Sequence, residues 1–172
     1  MILSERKRQI IEVALDMAKI HGWSYVSMRK ISSRVGVSVP IIYKIFGSKE
    51  LLLSEVAKQS LDELLNKLIF VKNNSISPLR DGCNELFDYF SLKPYVFDYA
   101  FKKASSFETM LYKNNILKIF IDIYTQQESN DPEREAAITF AQLIGQLMLK
   151  NQFQTIAFDC FTLDQHIDAE KK

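Results

Sequence analysis

Residues Ser27–Lys49, SMRKISSRVGVSVPIIYKIFGSK, read as two short helices around a tight turn. Ser27 is suited to open the first helix, because a serine hydroxyl accepts from an orphan amide of the first turn. Met28, Ile31 and Val35 follow at the three- and four-residue steps of a buried helical stripe. Gly36 then ends the helix, since glycine enters the left-handed conformation of a terminus without a Cβ penalty. Ser38 predicts a second cap, and Pro40 fits the first turn behind it, where amides lack an intrahelical partner. Gly47 stops that second helix. A helix, a turn containing glycine and a second short helix make the helix-turn-helix pattern, whose second helix enters the major groove of DNA.

The spacing of the second helix also assigns its faces. Ile42 and Phe46, four apart, are expected to pack inward, leaving Val39, Pro40, Ile41, Tyr43, Lys44 and Ile45 towards the outside. That outward set is unusually apolar. Ile41 and Ile45 would be poor choices for a merely solvated face, and suit either thymine methyl groups or a neighbouring domain.

With Gly22-Trp23, Ser27-Met28-Arg29-Lys30-Ile31, Gly36-Val37-Ser38, Ile42-Tyr43, Phe46 and Ser48-Lys49-Glu50-Leu51-Leu52, residues 5–55 resemble the N-terminal domain of TetR-family transcriptional regulators. Beyond residue 55 the likeness rests on length and helical character. The resemblance implies that the start of helix two, helix three and a lysine just after it touch double-stranded DNA. Those roles fall on Ser27, Arg29, Val39, Pro40, Ile41, Tyr43, Lys44 and Lys49. Two positions depart from the family pattern: Ser32 stands where alanine is usual at the helix crossing, and Ile45 where histidine or tyrosine is usual.

The chain has 172 residues, 47% of them hydrophobic, which is ample for a core. Five glycines and four prolines favour an all-α chain. Cys83 and Cys160 suit neither a disulfide scaffold nor a Cys-x-x-Cys metal site, and read as free, buried thiols. No apolar run reaches the roughly 18 residues of a membrane span, and the N-terminus lacks the pattern of a signal peptide, so a cytoplasmic protein without membrane contact is expected. Net charge is only +1, but it is unevenly spread. Residues 1–60 carry ten Lys and Arg against five Asp and Glu; the remainder carries twelve against sixteen. A basic front on an acidic body suits a DNA-facing domain, although charge runs are commonly just solvated faces.

A first helix is expected from Ser4 to about His21, burying Ile10, Ile11, Ala14, Leu15, Met17 and Ala18. Trp23 and Val26 should seal the three-helix core, and Arg6, Lys7 and Arg8 are placed to reach a phosphate backbone. His21 suits the C-terminal end of its helix. Ser48 caps a long fourth helix carrying Leu51, Leu52, Val56, Leu61, Leu64, Leu65 and Leu68 to about Val71. Lys72–Pro78 reads as a loop, and further helices are expected at 78–92, 95–104, 107–126, 132–158 and 162–171. The domains are thus a helix-turn-helix DNA-binding domain at 1–50 and a helical effector-binding and dimerisation domain at 51–172.

Eleven of the chain's twenty aromatic residues fall within 86–124. They fit either an effector cavity, apolar with a few hydroxyl handles, or the filling of a small helical core. The resemblance supports the first reading, with Phe87, Tyr89, Phe90, Tyr99, Tyr112 and Tyr124 as candidate contacts for a small apolar or amphipathic effector. The helix from Pro132 has a wide apolar face with small residues around Gly145, which lets another helix approach closely. In the resemblance, this helix and the last one form a four-helix bundle with a second copy, which makes Phe140, Ile144, Leu147 and Phe153 candidate homodimer contacts, with Phe158 beyond them.

Three function classes compete. The resemblance points to a homodimeric repressor released from a palindromic operator by its effector. An alternative is a helical protein-interaction cofactor that docks a partner on the apolar face of helix three. An enzyme is disfavoured: the sequence has no phosphate loop, no metal-ligand pair and no nucleophile with a placed base, and nothing calls for a cofactor.

Overall fold

The computed structural model describes residues 2–103 and 107–153, and every regular element among them is helical. Helix α1 (Ile2–His21) begins two residues before Ser4. A 3₁₀ turn (Trp23–Tyr25) leads to α2 (Met28–Val35) and α3 (Val39–Phe46). The long α4 (Lys49–Asn74) is followed by α5 (Pro78–Leu92) and by α6 (Pro94–Phe97), which widens into a π-helical turn at Asp98–Lys103. Then come α7 (Phe107–Gln126) and α8 (Pro132–Phe153). The expected helix at 162–171, Phe158 and Cys160 lie outside the described residues. No described helix is long and apolar enough to cross a membrane.

These helices fall into two compact units, Met1–Lys67 with Lys93–Asn115, and Leu68–Leu92 with Ile116–Lys172. In the first unit Ile10, Ala14, Met17, Val26, Ile31 and Ile42 build the three-helix core, in keeping with the 3.6-residue period of their helices. Trp23 is buried with them. Its indole Nε1–H donates to the Tyr95 carbonyl at 2.5 Å and its ring lies 4.9 Å from that of Tyr99, tying the 3₁₀ turn to α6. Tyr112 donates to Asp62 at 2.6 Å, and Lys93 pairs with Glu63 at 2.7 Å. In the second unit α5 packs on α8 around Leu86, Phe90, Phe120, Leu143 and Leu147. Cys83 is buried there and forms no disulfide among the described residues.

Two further elements differ from expectation. Helix α4 runs to Asn74 because local groups satisfy its last carbonyls: Asn74 Nδ2 donates to Phe70 O at 2.8 Å and Ser75 N to Val71 O at 2.9 Å. Lys72, in that added turn, pairs with Asp122 at 2.8 Å. The element expected at 95–104 starts at Pro94, whose fixed φ suits a first turn, and leaves α-geometry after Phe97. Tyr95, Val96, Phe97, Tyr99 and Ala100 are all buried, so the sequence carries no one-sided period from which that change could be read. Leu51 is exposed rather than in the α4 stripe, while Val35, Leu15 and Leu65 are half-buried.

Candidate nucleic-acid interface

The turn between α2 and α3 is held by three bonds that converge on Ser32. Gly36 N and Val37 N both donate to the Ser32 carbonyl, at 3.0 and 3.3 Å. The Ser32 hydroxyl in turn donates to the Val37 carbonyl at 2.5 Å. Gly36 sits at φ 73°, ψ 30°, the left-handed conformation expected of it. Ser27 caps α2 as expected, its Oγ accepting from Lys30 N at 3.3 Å. A hydroxyl that accepts in this way keeps its proton to donate to a phosphate oxygen. Ser38 differs: it is extended and makes no side-chain cap, and its carbonyl rather than its hydroxyl receives the Ile41 and Ile42 amides, at 3.0 and 3.4 Å. Sequence reasoning assigned that hydroxyl to the helix; the structure leaves it at the exposed head of α3.

Helix α3 presents the faces its spacing predicts. Ile42 and Phe46 are buried, whereas Ile41 and Tyr43 are 39% and 46% exposed. Pro40 and Lys44 are also exposed, and Val39 and Ile45 half-buried. Arg29 lies exposed in the first turn of α2, and Lys49 half-buried at the head of α4. The eight residues assigned to DNA therefore fall on α2, α3 and the start of α4, around one helix-turn-helix.

The electrostatics of this segment are one-sided. No Asp or Glu occurs between Asp16 and Glu50. Arg29, Lys30, Arg34, Lys44 and Lys49 form no ion pair among the described residues. Two cations of α1 are tied down. Lys7 binds Glu55 at 2.9 Å and lies 5.8 Å from the centre of the Phe46 ring. Arg8 binds Glu5 at 2.6 Å and Glu12 at 2.7 Å. The hydrogen bond from Arg8 holds the Glu5 carboxyl below its usual range. Of the N-terminal cluster expected to reach a phosphate, Lys7 and Arg8 are thus already neutralised, and only Arg6 is without an ion pair among the described residues.

The six aromatic candidates for an effector do not share one unit. Phe87, Tyr89, Phe90 and Tyr124 belong to the second; Tyr99 and Tyr112 belong to the first. In the second unit the Tyr89 and Phe90 rings meet edge-on at 6.0 Å, Lys150 lies 4.7 Å over Phe87, and the Tyr124 hydroxyl bonds Thr139 at 2.8 Å. On α8, Phe140 and Ile144 are half-buried, and the side chain of Phe153 lies outside the described residues. Leu147 is fully enclosed by its own chain and has no side-chain surface to offer a second copy, a correction to its place among the dimer contacts. The exposed side of α8 carries Ile138, Ala141, Met148 and Leu149 instead, with Gly145 between them.

An all-helical chain whose helix-turn-helix carries an acid-free cationic rim has the build of a DNA-binding regulator. The comparisons agree. Residues 10–56 match the family model described as bacterial regulatory proteins, tetR family. No curated protein matches the sequence. A transcriptional regulator of the TetR/AcrR family from Thermobifida fusca YX-ER1 has the same fold, with a TM-score of 0.72 at 18% identity over 95% of this chain and 94% of that one. A tetR-family transcriptional regulator from Streptomyces coelicolor gives 0.71 at 19% identity, over 89% of this chain and 73% of that one. The matched family is one of regulatory proteins, and the two solved structures, at 18% and 19% identity, share the fold.

Proposed function

We propose that the protein is a homodimeric repressor which binds a palindromic operator and is released from it by a small apolar or amphipathic effector. Residues 1–50 serve as the DNA-binding domain and 51–172 carry the effector and dimer functions. The observation that carries the DNA-binding part is the pairing of an exposed apolar face, Ile41 and Tyr43, with unpaired cations on either side of it. Apolar groups read thymine methyls, and cations hold phosphates. Ser27, Arg29, Lys44 and Lys49 supply backbone contacts; Val39, Pro40, Ile41 and Tyr43 face the bases. Two copies are needed to set two recognition helices about 34 Å apart on a palindrome. An effector that prefers a different spacing shifts the population off DNA.

Operator selection from a random duplex pool, followed by salt titrations, tests this reading. Lys49→Ala should weaken binding to all sequences alike and lower the magnitude of the log-salt slope by about 0.9 per contact, or about twice that in a symmetric dimer. Ile41→Ala should leave the slope nearly unchanged and relax preference at one base pair per half-site by roughly 1 kcal/mol. Binding indifferent to salt would instead favour a protein partner on the exposed face of α3.

A further inference from the structure

Lys30 is the cation of the helix-turn-helix whose position is most restrained. Its Nζ lies 3.1 Å from the centre of the Tyr25 ring and donates to the Tyr25 carbonyl at 3.3 Å. The Tyr25 ring is itself backed by His21, at 4.2 Å between centroids, yet stays 37% exposed. The ammonium is therefore drawn back from α2 over the 3₁₀ turn that precedes Ser27. Of its three N–H groups, one serves the carbonyl and one faces the ring, which leaves donor capacity towards solvent.

No ion pair within the described structure explains a lysine here. The first turn of α2 holds Arg29 and Lys30 and no acid, and Arg34 follows Lys30 by four residues. Cations at the positive end of a helix and like charges at a four-residue step each cost some tenths of a kcal/mol. A glutamate at position 30 would relieve both, and no carboxylate in the described structure pairs with Lys30. The Tyr25 ring and carbonyl offset this cost but leave the charge of the ammonium without a counterion. The counterion that the described structure does not supply is then an external anion. On a face that already carries Ser27 and Arg29, that anion is the DNA backbone.

We propose that Lys30, perched on Tyr25, is a further phosphate contact that extends the DNA footprint of α2 towards the 3₁₀ turn. The proposal rests on the DNA-binding reading. Its perch fixes the ammonium before DNA arrives, so less side-chain freedom is lost on binding.

The test uses the full chain and a fluorescein-labelled 30-base-pair duplex of random sequence, titrated between low and moderate salt. Lys30→Met keeps the aliphatic stem and removes the charge. It should lower the magnitude of the log-salt slope by about 0.9 per subunit and weaken binding roughly eightfold per subunit at 0.1 M salt, alike on every sequence. Lys30→Arg should restore the slope. Unfolding monitored by circular dichroism should show Lys30→Met folded with a midpoint close to that of wild type, since loss of the Tyr25 contacts and relief of the repulsion with Arg34 oppose each other. If Lys30→Met keeps the wild-type slope while Lys49→Ala lowers it, the Lys30 contact is refuted and the DNA-binding reading stands. If wild type shows no salt-dependent affinity for any duplex, the DNA-binding reading fails, and the Lys30 contact falls with it.

Discussion

Ser32 shows how one oxygen fixes the angle between two helices. A small residue is needed where α2 crosses α3, and alanine would fill that space equally well. The hydroxyl adds the bond to the Val37 carbonyl, so three bonds rather than two hold the turn. Ser32→Ala leaves that half-buried carbonyl with one partner fewer and should cost about 1 kcal/mol in urea unfolding. Operator affinity should fall only modestly, because the backbone bonds from Gly36 and Val37 remain. An unchanged denaturation midpoint would mean that water replaces the hydroxyl without loss. Gly47 is constrained differently: at φ 80°, ψ −55° any side chain would be strained, and a Cβ there would stand 3.3 Å from Leu51 Cδ1.

At the scale of elements, α6 and its π turn depend on the helix-turn-helix for their place. The Tyr95 carbonyl receives both Asp98 N and the Trp23 indole. Burial pushes the Tyr95 phenol above its ordinary value; a hydrogen bond with Ser60 opposes this, and the negative charges of Glu63 and Asp16 add to it. A tyrosine whose folded value is raised contributes stability that is complete below its unfolded value, about 10, and is lost as pH rises through the folded value. Wild type should therefore lose more stability than Tyr95→Phe between pH 8 and pH 11, as read from urea midpoints. Equal losses would show that the phenol is as solvated in the folded state as in the unfolded one.

For the whole molecule, the proposed dimer turns on the exposed side of α8. No described atom lies within 4 Å of a Cβ built on Gly145, so a side chain there is accommodated within the chain. Glycine in mid-helix also costs about 1 kcal/mol relative to alanine. Gly145→Leu should accordingly leave the subunit at least as stable, while holding a second helix away from Ile138, Ala141 and Met148. Sedimentation should then show monomers, and binding to a full palindrome should be lost while each half-site is still bound weakly. A Gly145→Leu protein that remains dimeric would move the interface elsewhere. An effector can be sought in the same protein by thermal shift: a ligand at a hundredfold over its Kd stabilises the native state by about 2.7 kcal/mol.

What the sequence determined by itself was whatever depends on neighbours three or four residues apart. The Ser27 cap, the left-handed Gly36, the inward Ile42 and Phe46 and the outward Ile41 and Tyr43 all follow from caps and helical period, and all were legible before any fold was known. Ser38 misled because either its hydroxyl or its carbonyl can meet the Ile41 amide, and only backbone geometry chooses between them. Tertiary structure decided everything that joins distant residues. It carried the Trp23 indole to a carbonyl 72 positions away and Lys7 to Glu55, 48 positions away. It enclosed Leu147 and left Met148 exposed, a distinction that a stripe apolar on more than one side cannot express. The charge of the DNA-facing surface belongs to both levels. Sequence supplied the stretch without acids, but whether a cation is free or neutralised depends on which carboxylates folding brings within about 4 Å of it, and that is a property of packing.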